Sequence, residues 1–469
     1  MPEHPHPRPL GRRGFLAAAT ATAAATAPVG ALLTAGAATA APAAARPNIL
    51  LIVTDDQPKD TAWATPRTIG WLGEKGVTFR NGHVTTPLCA PSRSSVFSGR
   101  YAHAHGVRNN GASAALDQSR TVQRRLADAG YRIGLFGKYL NSWPLADAPP
   151  HFEEFTLLQP AYDDARYNVN GTVKTIPGYS TDIVRDRALA FLDKAATDTR
   201  PWFAYVTPYA SHSPNVPAPR HADAAVPAWN GRPSVPEPDR ADKPPFIQDA
   251  GATLADGRAV RAKQLRSLLA VDEAVQAFHD KLAQLGQLEN TLVLYIADNG
   301  FTWADHGWTK KSVPYTPAHA VPLRLSWPAA GLDRGTDDDR IAANIDIAPT
   351  LLAAAGLAPD TGHDGHSLLG TADRDHLLVE FWKQGTAAGG PPTWASYVAK
   401  DRQYTEYYDL HTDAAGTVSG TGRVTFREYY DLAADPYQLT NLLHGATPAR
   451  ERELGIPALA AALAADRTA

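Results

Sequence analysis

The chain has 469 residues, 44% of them hydrophobic and 20% charged, with a formal net charge of −3. These values belong to a soluble globular protein with a sizeable core, and they exclude general disorder and the basic excess of a nucleic-acid-binding surface. The single cysteine excludes an intramolecular disulfide.

Residues 1–45 read as a twin-arginine export signal. Arg12 and Arg13 precede Gly14, Phe15 and Leu16, and a weakly hydrophobic Ala/Thr run ends in small residues near Ala38, Thr39 and Ala40. Ala and Thr contribute too little transfer energy for a stable membrane anchor. A secreted or cell-envelope bacterial protein is expected, carried folded and holding together without disulfides.

A continuous apolar run predicts a strand over 49–53, buried on both faces of a parallel sheet. Asp55 and Asp56 follow it directly. Two adjacent carboxylates repel each other and need a cation or donors, the alternative being a turn whose aspartate caps the next helix. Residues 85–100, TTPLCAPSRSSVFSGR, turn at Pro87 and Pro91 and start a helix over 92–97 that Gly99 ends. Cys89 therefore sits at or just before a helix N-terminus, where free N–H groups favour an anion. The lone thiol reads either as a small buried apolar group or as a reactive centre.

An amphipathic helix over 121–128 closes at Gly130, and YRIGLFGKYLN is a strand with Lys138 just past its apolar run. A helix over 180–196 and a strand over 203–206 follow, with His212 beyond that strand's end. The Pro- and charge-rich stretch 214–245 reads as an irregular surface excursion. Leu265, Leu268, Leu269, Val275, Phe278 and Leu282 mark a long helix ending at Gly286. Residues 292–297 form a second buried strand, and Asp298 and Asn299 stand at its end. Two strand ends bearing hard oxygen donors point to a metal site rather than to two turns. HGWTKK then places His306, Lys310 and Lys311 in a loop, and NIDIAPTLLAAAGL is a helix capped near Asn344 or Asp346. Beyond Leu369, Tyr- and Trp-rich segments suggest antiparallel strands, and the stretch from Pro448 is helical.

CAPSR, at 89–93, resembles the Cys-x-Pro-Ser-Arg signature of the type I sulfatases, and GYRIGLFGKYLN from Gly130 is similar to that family's second signature. TDDQ, SHSP, ADNG and EYYDLAADPYQLTNLL follow in the family's order over nearly the whole mature chain. The variant GKYLN, with PDRADKPPF from Pro238, resembles the branch of N-acetylglucosamine-6-sulfatases and heparan-sulfate endosulfatases. The resemblance implies an alkaline-phosphatase-like α/β fold. A mixed, mostly parallel sheet sandwiched by helices would occupy 46–370, and a smaller C-terminal α/β subdomain of antiparallel sheet plus helix 371–469.

It also implies a site. Cys89 would be converted to Cα-formylglycine by a formylglycine-generating enzyme, for which Ser92 is part of the recognised signature. The hydrated aldehyde would be the nucleophile, since the second hydroxyl of a gem-diol can expel sulfate where a thiol or serine could not. Arg93 would support it. Ca2+ would be held by Asp55, Asp56, Asp298, Asn299 and the modified residue 89, an oxygen-donor set that favours calcium over zinc. Lys138 and Lys311 would hold sulfate oxygens, and His212 would donate to the bridging oxygen or assist there. Lys311 is preferred to Lys310 because the family spaces this lysine four residues before a tyrosine, here Tyr315.

Two departures stand out. Leu140, followed by Asn141, occupies a position where many sulfatases have a histidine, and Thr316 one where an acid is more usual; both bear on substrate and general base. The activity implied is hydrolysis of an O-sulfate ester, with a sulfated sugar first and an aryl sulfate as an artificial substrate. A phosphonate or phosphate ester hydrolase on the same fold and a catalytically silent glycan-binding protein are the alternatives. The expected partners in maturation are the formylglycine-generating enzyme and the twin-arginine machinery, with neither nucleic acid nor membrane anchor.

Overall fold

The computed structural model describes residues 46–387 and 389–468, so the export signal expected over 1–45 lies outside the described residues. From Arg46 onward the chain forms one compact unit. Its strands in chain order are β1 (Asn48–Thr54), β2 (Val77–His83), β3 (Arg132–Gly137), β4 (Glu154–Leu158), β5 (Arg166–Val169), β6 (Thr172–Thr175), β7 (Trp202–Thr207) and β8 (Thr291–Ala297). A hairpin of β9 (Thr302–Asp305) and β10 (Trp308–Lys310) follows, then β11 (Leu323–Ser326) and β12 (Thr336–Ala343). All but the hairpin join one ten-stranded sheet, in the order β12-β2-β11-β8-β1-β7-β3-β4-β5-β6.

The continuous apolar runs take the middle of this sheet because they must be covered on both faces. β8, β1, β7, β3 and β4 are parallel neighbours, and Leu50 lies between Ala204 and Val293. Side chains alternate across β1. Ile49, Leu51 and Val53 enter one core and Leu50 and Ile52 the other.

The main helices are α1 (Cys89–Ser98), α2 (Val122–Asp128), α3 (Ser180–Ala195), α4 (Leu254–Gln284) and α5 (Ile347–Ala354). Phe97, Leu126 and Leu351 of α1, α2 and α5 cover the first face, and Phe191, Leu268 and Phe278 of α3 and α4 the second. Each such burial stabilises the fold by about 1.5–3 kcal/mol. No helix among the described residues is long and apolar enough to cross a membrane.

β13 (Leu377–Phe381), β14 (Thr393–Val398), β15 (Arg402–Thr412) and β16 (Val418–Asp431) form a second, antiparallel sheet. Leu377, Val379, Trp394 and Tyr407 on one face pack with Ile341, Ala343 and Ile345 at the end of β12. The other face, with Leu378, Tyr404 and Tyr429, is covered by Ile456, Leu459 and Leu463 of the last helix, Ile456–Asp466.

Three local expectations change. The helix expected over 92–97 begins at Cys89 itself, because Pro91 fits a first turn whose N–H groups need no partner. The long helix begins at Leu254, eleven residues before its first marker Leu265, because Thr253 and Asp256 form a capping box. The HGWTKK loop contains β10: Thr302 Oγ1 lies 2.7 Å from both Trp308 O and Lys310 O, between which its one proton is shared, and accepts from Lys310 N at 3.1 Å, closing the hairpin.

Candidate active site

Chemical groups collect where the parallel strands end, the usual place for a ligand in an open α/β sheet. Asp55 and Asp56 leave β1, Lys138 leaves β3, Asp298 and Asn299 leave β8, and His212 follows β7. Main-chain bonds hold these ends together. Asp298 N donates to Thr54 O at 2.9 Å, Lys138 N to Thr207 O at 2.9 Å, and Ser211 N to Asp55 O at 2.7 Å. Gly137, just before Lys138, has φ 114°, and a Cβ there would lie 2.0 Å from Thr207 O, so the chain needs glycine to pass. Helix α1 supplies Cys89 and Arg93, four residues apart and therefore on one face.

Arg93 is fully buried and organises the acids. Its Nε donates to Asp298 Oδ2 at 2.8 Å, its second amino group lies 3.4 Å from Asp55 Oδ2, and its first donates to Lys138 O at 2.9 Å and Thr207 Oγ1 at 2.5 Å. Lys138 Nζ donates to Asp55 Oδ2 at 2.5 Å. Asp56 N donates to Asp298 Oδ1 at 3.1 Å, and Asn299 Nδ2 to Asp56 Oδ1 at 2.7 Å. Lys311 donates to Asp56, lies 2.8 Å from Cys89 Sγ and 3.4 Å from Asn299 Oδ1; Lys310 is exposed. His212 Nδ1 donates to Ser213 O at 2.7 Å, which leaves Nε2 facing Asp56 Oδ2 at 3.8 Å. Its ring stacks on Tyr209 with centroids 4.8 Å apart.

The residues named from the sequence thus meet at one point: Asp55, Asp56, Cys89 and His212 offer donor atoms within 4.8 Å of one another. Three carboxylates, Asp55, Asp56 and Asp298, face three cations, Arg93, Lys138 and Lys311, so the ionised site is formally neutral. Burial pushes the Asp55 carboxyl up, but Lys138, His212 and Arg93 together outweigh it and hold the group at about 2. Burial draws Lys138 down, and Asp55 and Cys89 more than reverse it, so the ammonium stays charged. Lys311 is likewise held well above the usual lysine value, with Asp56 opposing burial. Burial and Asp298 push the Cys89 thiol up to about 12, so no thiolate nucleophile forms there at neutral pH.

Sequence reasoning passed over Thr207 and Tyr209, which hold Arg93 and the His212 ring. It also gave Asn344 only a capping role. Asn344 Nδ2 donates to Ser92 Oγ at 2.9 Å, and its Oδ1 accepts from Thr85 N at 3.0 Å, tying α1 to the β12 end. Leu140 is buried in the core, so no titratable group stands at that position. Outside Lys311 opens a cleft of about 540 Å³, lined by Asp56, His212, Phe301, Trp308, Lys310 and Phe381.

The sulfatase family profile matches residues 47–357, and that of the C-terminal region of N-sulphoglucosamine sulphohydrolase matches 304–451. A putative extracellular sulfatase Sulf-1 homolog of Caenorhabditis elegans is 32% identical over 348 residues, 69% of this chain and 48% of that protein. The chain thus spans about half of that relative's length. Human N-acetylglucosamine-6-sulfatase is 28% identical, over 85% of this chain and 81% of its own. Among solved structures, a complex with the substrate D-glucosamine-2-N,6-O-disulfate superposes with a TM-score of 0.77 at 21% identity, covering 90% of this chain and 98% of the other. That likeness shows the alkaline-phosphatase-like fold. With the sulfatase profile matched across most of its length and its signature residues gathered at one strand-end site, the chain belongs to the sulfatase family.

Proposed function

We propose that the protein hydrolyses an O-sulfate ester, releasing inorganic sulfate, with a sulfated sugar such as an N-acetylglucosamine-6-sulfate unit as substrate. One observation carries the reading: Cys89, three carboxylates and three cations share a single buried strand-end site beneath an open cleft. The named sulfated-sugar relatives support the substrate class.

The donor set suits calcium. The Lys311 ammonium already lies among Asp56, Asn299 Oδ1 and Cys89 Sγ, which marks the point as favourable for a cation. Asp55, Asp56 and Asp298 add carboxylate oxygens and no soft ligand except the unmodified thiol. Asp55, Asp56, Asp298, Asn299 and residue 89 would hold the ion. Together, calcium and a formylglycine formed from Cys89 supply an acidified oxygen nucleophile that can be regenerated after sulfate leaves.

The remaining work falls to the chain's own side chains. Lys138 and Lys311 stay protonated and offer charge to the sulfate oxygens, whose negative charge grows on the leaving side as the S–O bond breaks. His212, its Nδ1–H held by Ser213 O, directs Nε2 toward the cleft and, as the imidazolium, gives the Nε2 proton to the departing sugar oxygen, returning to the neutral Nδ1–H ring. Arg93 touches no substrate; it fixes Asp55 and Asp298. Cys89 and Ser92 are wholly buried, so a modifying enzyme must read the signature before the chain closes around it. Twin-arginine export, which carries folded cargo, fits that order.

The test joins mass analysis to kinetics. In active protein the tryptic peptide 81–93 is expected to carry an aldehyde at position 89, and 4-nitrophenyl sulfate to turn over faster than the corresponding phosphate and phosphonate esters. An unmodified thiol in fully active protein, or a preference for the phosphorus esters, contradicts the reading.

A further inference from the structure

Lys311 follows β10 on a segment with no regular structure until Thr316, yet it must place one ammonium among Asp56, Asn299 and Cys89. Nothing within the segment fixes it. Ser312 has φ 73°, a left-handed conformation that a serine adopts at a cost, and Pro314 has no N–H to offer.

Trp308 Nε1, on β10, makes a long bond to Lys311 O at 3.3 Å, and the bonds that hold 312–316 come from the second sheet and the stretch after it. Trp394 Nε1, on β14, donates to Ser312 O at 2.9 Å. Gln403 Nε2, on β15, donates to Pro314 O at 2.6 Å. Tyr315 OH donates to Glu428 Oε1, on β16, at 3.0 Å, and Tyr407 and Tyr430 donate to the same carboxylate. Gln438 Oε1 accepts from Thr316 N at 2.8 Å and Thr316 Oγ1 at 3.1 Å. The two glutamines are also joined, since Gln438 Nε2 donates to Gln403 Oε1 at 3.1 Å. Trp394, Gln403, Glu428 and Gln438 are all buried, so each bond is made away from competing water.

We infer that Trp394, Gln403, Glu428 and Gln438 form a clamp whose task is to position Lys311, so that the C-terminal sheet acts in catalysis through the main chain of 312–316. The inference rests on the proposed role of Lys311. Four separate residues, spread over 394–438, bond to four of the five positions after the lysine, and two of them bond to each other. Packing two surfaces together would not require polar bonds concentrated on one short segment. Losing one of them leaves the others to hold the chain roughly in place. The expected effect is a displacement of the ammonium rather than unfolding, and small misplacements of a catalytic group cost about 10–100-fold.

The test uses Trp394→Phe, which keeps the ring and removes the N–H, and Gln403→Leu, in the full chain with and without Lys311→Ala. With 4-nitrophenyl sulfate each is expected to lower kcat about tenfold or more with KM little changed. In the Lys311→Ala background neither should lower it further. Amide hydrogen exchange at Ser312, Val313, Tyr315 and Thr316 should speed up in both variants while β1 and β8 keep their protection. Equal losses in both backgrounds, or unchanged exchange at these four amides, overturn the clamp. Exchange also separates the two ideas: faster exchange in a protein that never releases sulfate keeps the clamp and removes the enzymatic reading.

Discussion

Arg93 shows how one side chain sets the chemistry around it. Its guanidinium spends its donors on Asp298, Lys138 O and Thr207, and lies against Asp55, so both acids keep fixed positions and Asp55 stays ionised. Removing one member of a buried charge pair costs about 3–5 kcal/mol, because the partner is left uncompensated. Arg93→Ala is therefore expected to lower the denaturation free energy by about that amount, read from urea unfolding, and to abolish activity. Arg93→Lys should recover part of the stability but little activity, since an ammonium cannot bridge Asp298, Asp55 and Thr207 at once. At this scale much of the site was legible. Asp55, Asp56, Asp298 and Asn299 stand directly after apolar runs, and Cys89 and Arg93 lie within five consecutive residues. Thr207 and Tyr209 were not, because a hydroxyl and an aromatic ring at a strand end match many unremarkable turns.

Between elements, the junction of β2 with the turn before β11 contains a paired histidine. His83 Nδ1 and His319 Nδ1 are 3.1 Å apart, so one must donate and the other accept, and two imidazolium rings cannot share that contact. Burial draws His319 down to about 4; burial and the neighbouring His319 draw His83 down as well. A base with a lowered folded pKa favours the native state fully above its unfolded value, near 6.5. That contribution is lost as pH falls toward 4. Urea midpoints are expected to drop between pH 7 and pH 4.5, with a contribution on the order of 3 kcal/mol from His319, and His319→Gln should flatten the dependence. A pH profile unchanged by that substitution would exclude the pair as its source. Neither β2, which carries His83, nor its outer neighbour β12 was read from the sequence. β2 (VTFRNGH) and β12 (TDDDRIAA) alternate polar and apolar residues or carry a charged run, and they lie toward the edge where one side meets solvent. The fully buried β1 and β8 gave the clearer pattern. The capping box at Thr253 and Asp256 was a usable signal for the start of α4, whereas the hairpin at β10 depends on Thr302 contacts that spacing alone does not announce.

For the whole molecule, the ten-stranded sheet supplies the acids and Lys138, helix α1 supplies Arg93, and the C-terminal sheet fixes the segment carrying Lys311. The order of motifs along the chain made the overall architecture legible, but the clamp joins residues 312–316 to 394–438 through bonds between chemically ordinary side chains. If calcium binds where Asp55, Asp56, Asp298 and Asn299 converge, it binds the folded chain alone, and mass action raises thermal stability by about 2.7 kcal/mol at a hundredfold excess over Kd. Chelation with EDTA should lower Tm, calcium should restore it more effectively than zinc, and Asp298→Asn should remove the response. The most direct measurement of the central claim is inorganic sulfate released from N-acetylglucosamine-6-sulfate by the calcium-loaded protein and by its Cys89→Ala variant. The account predicts stoichiometric release by the first and none by the second; equal release by both would contradict it.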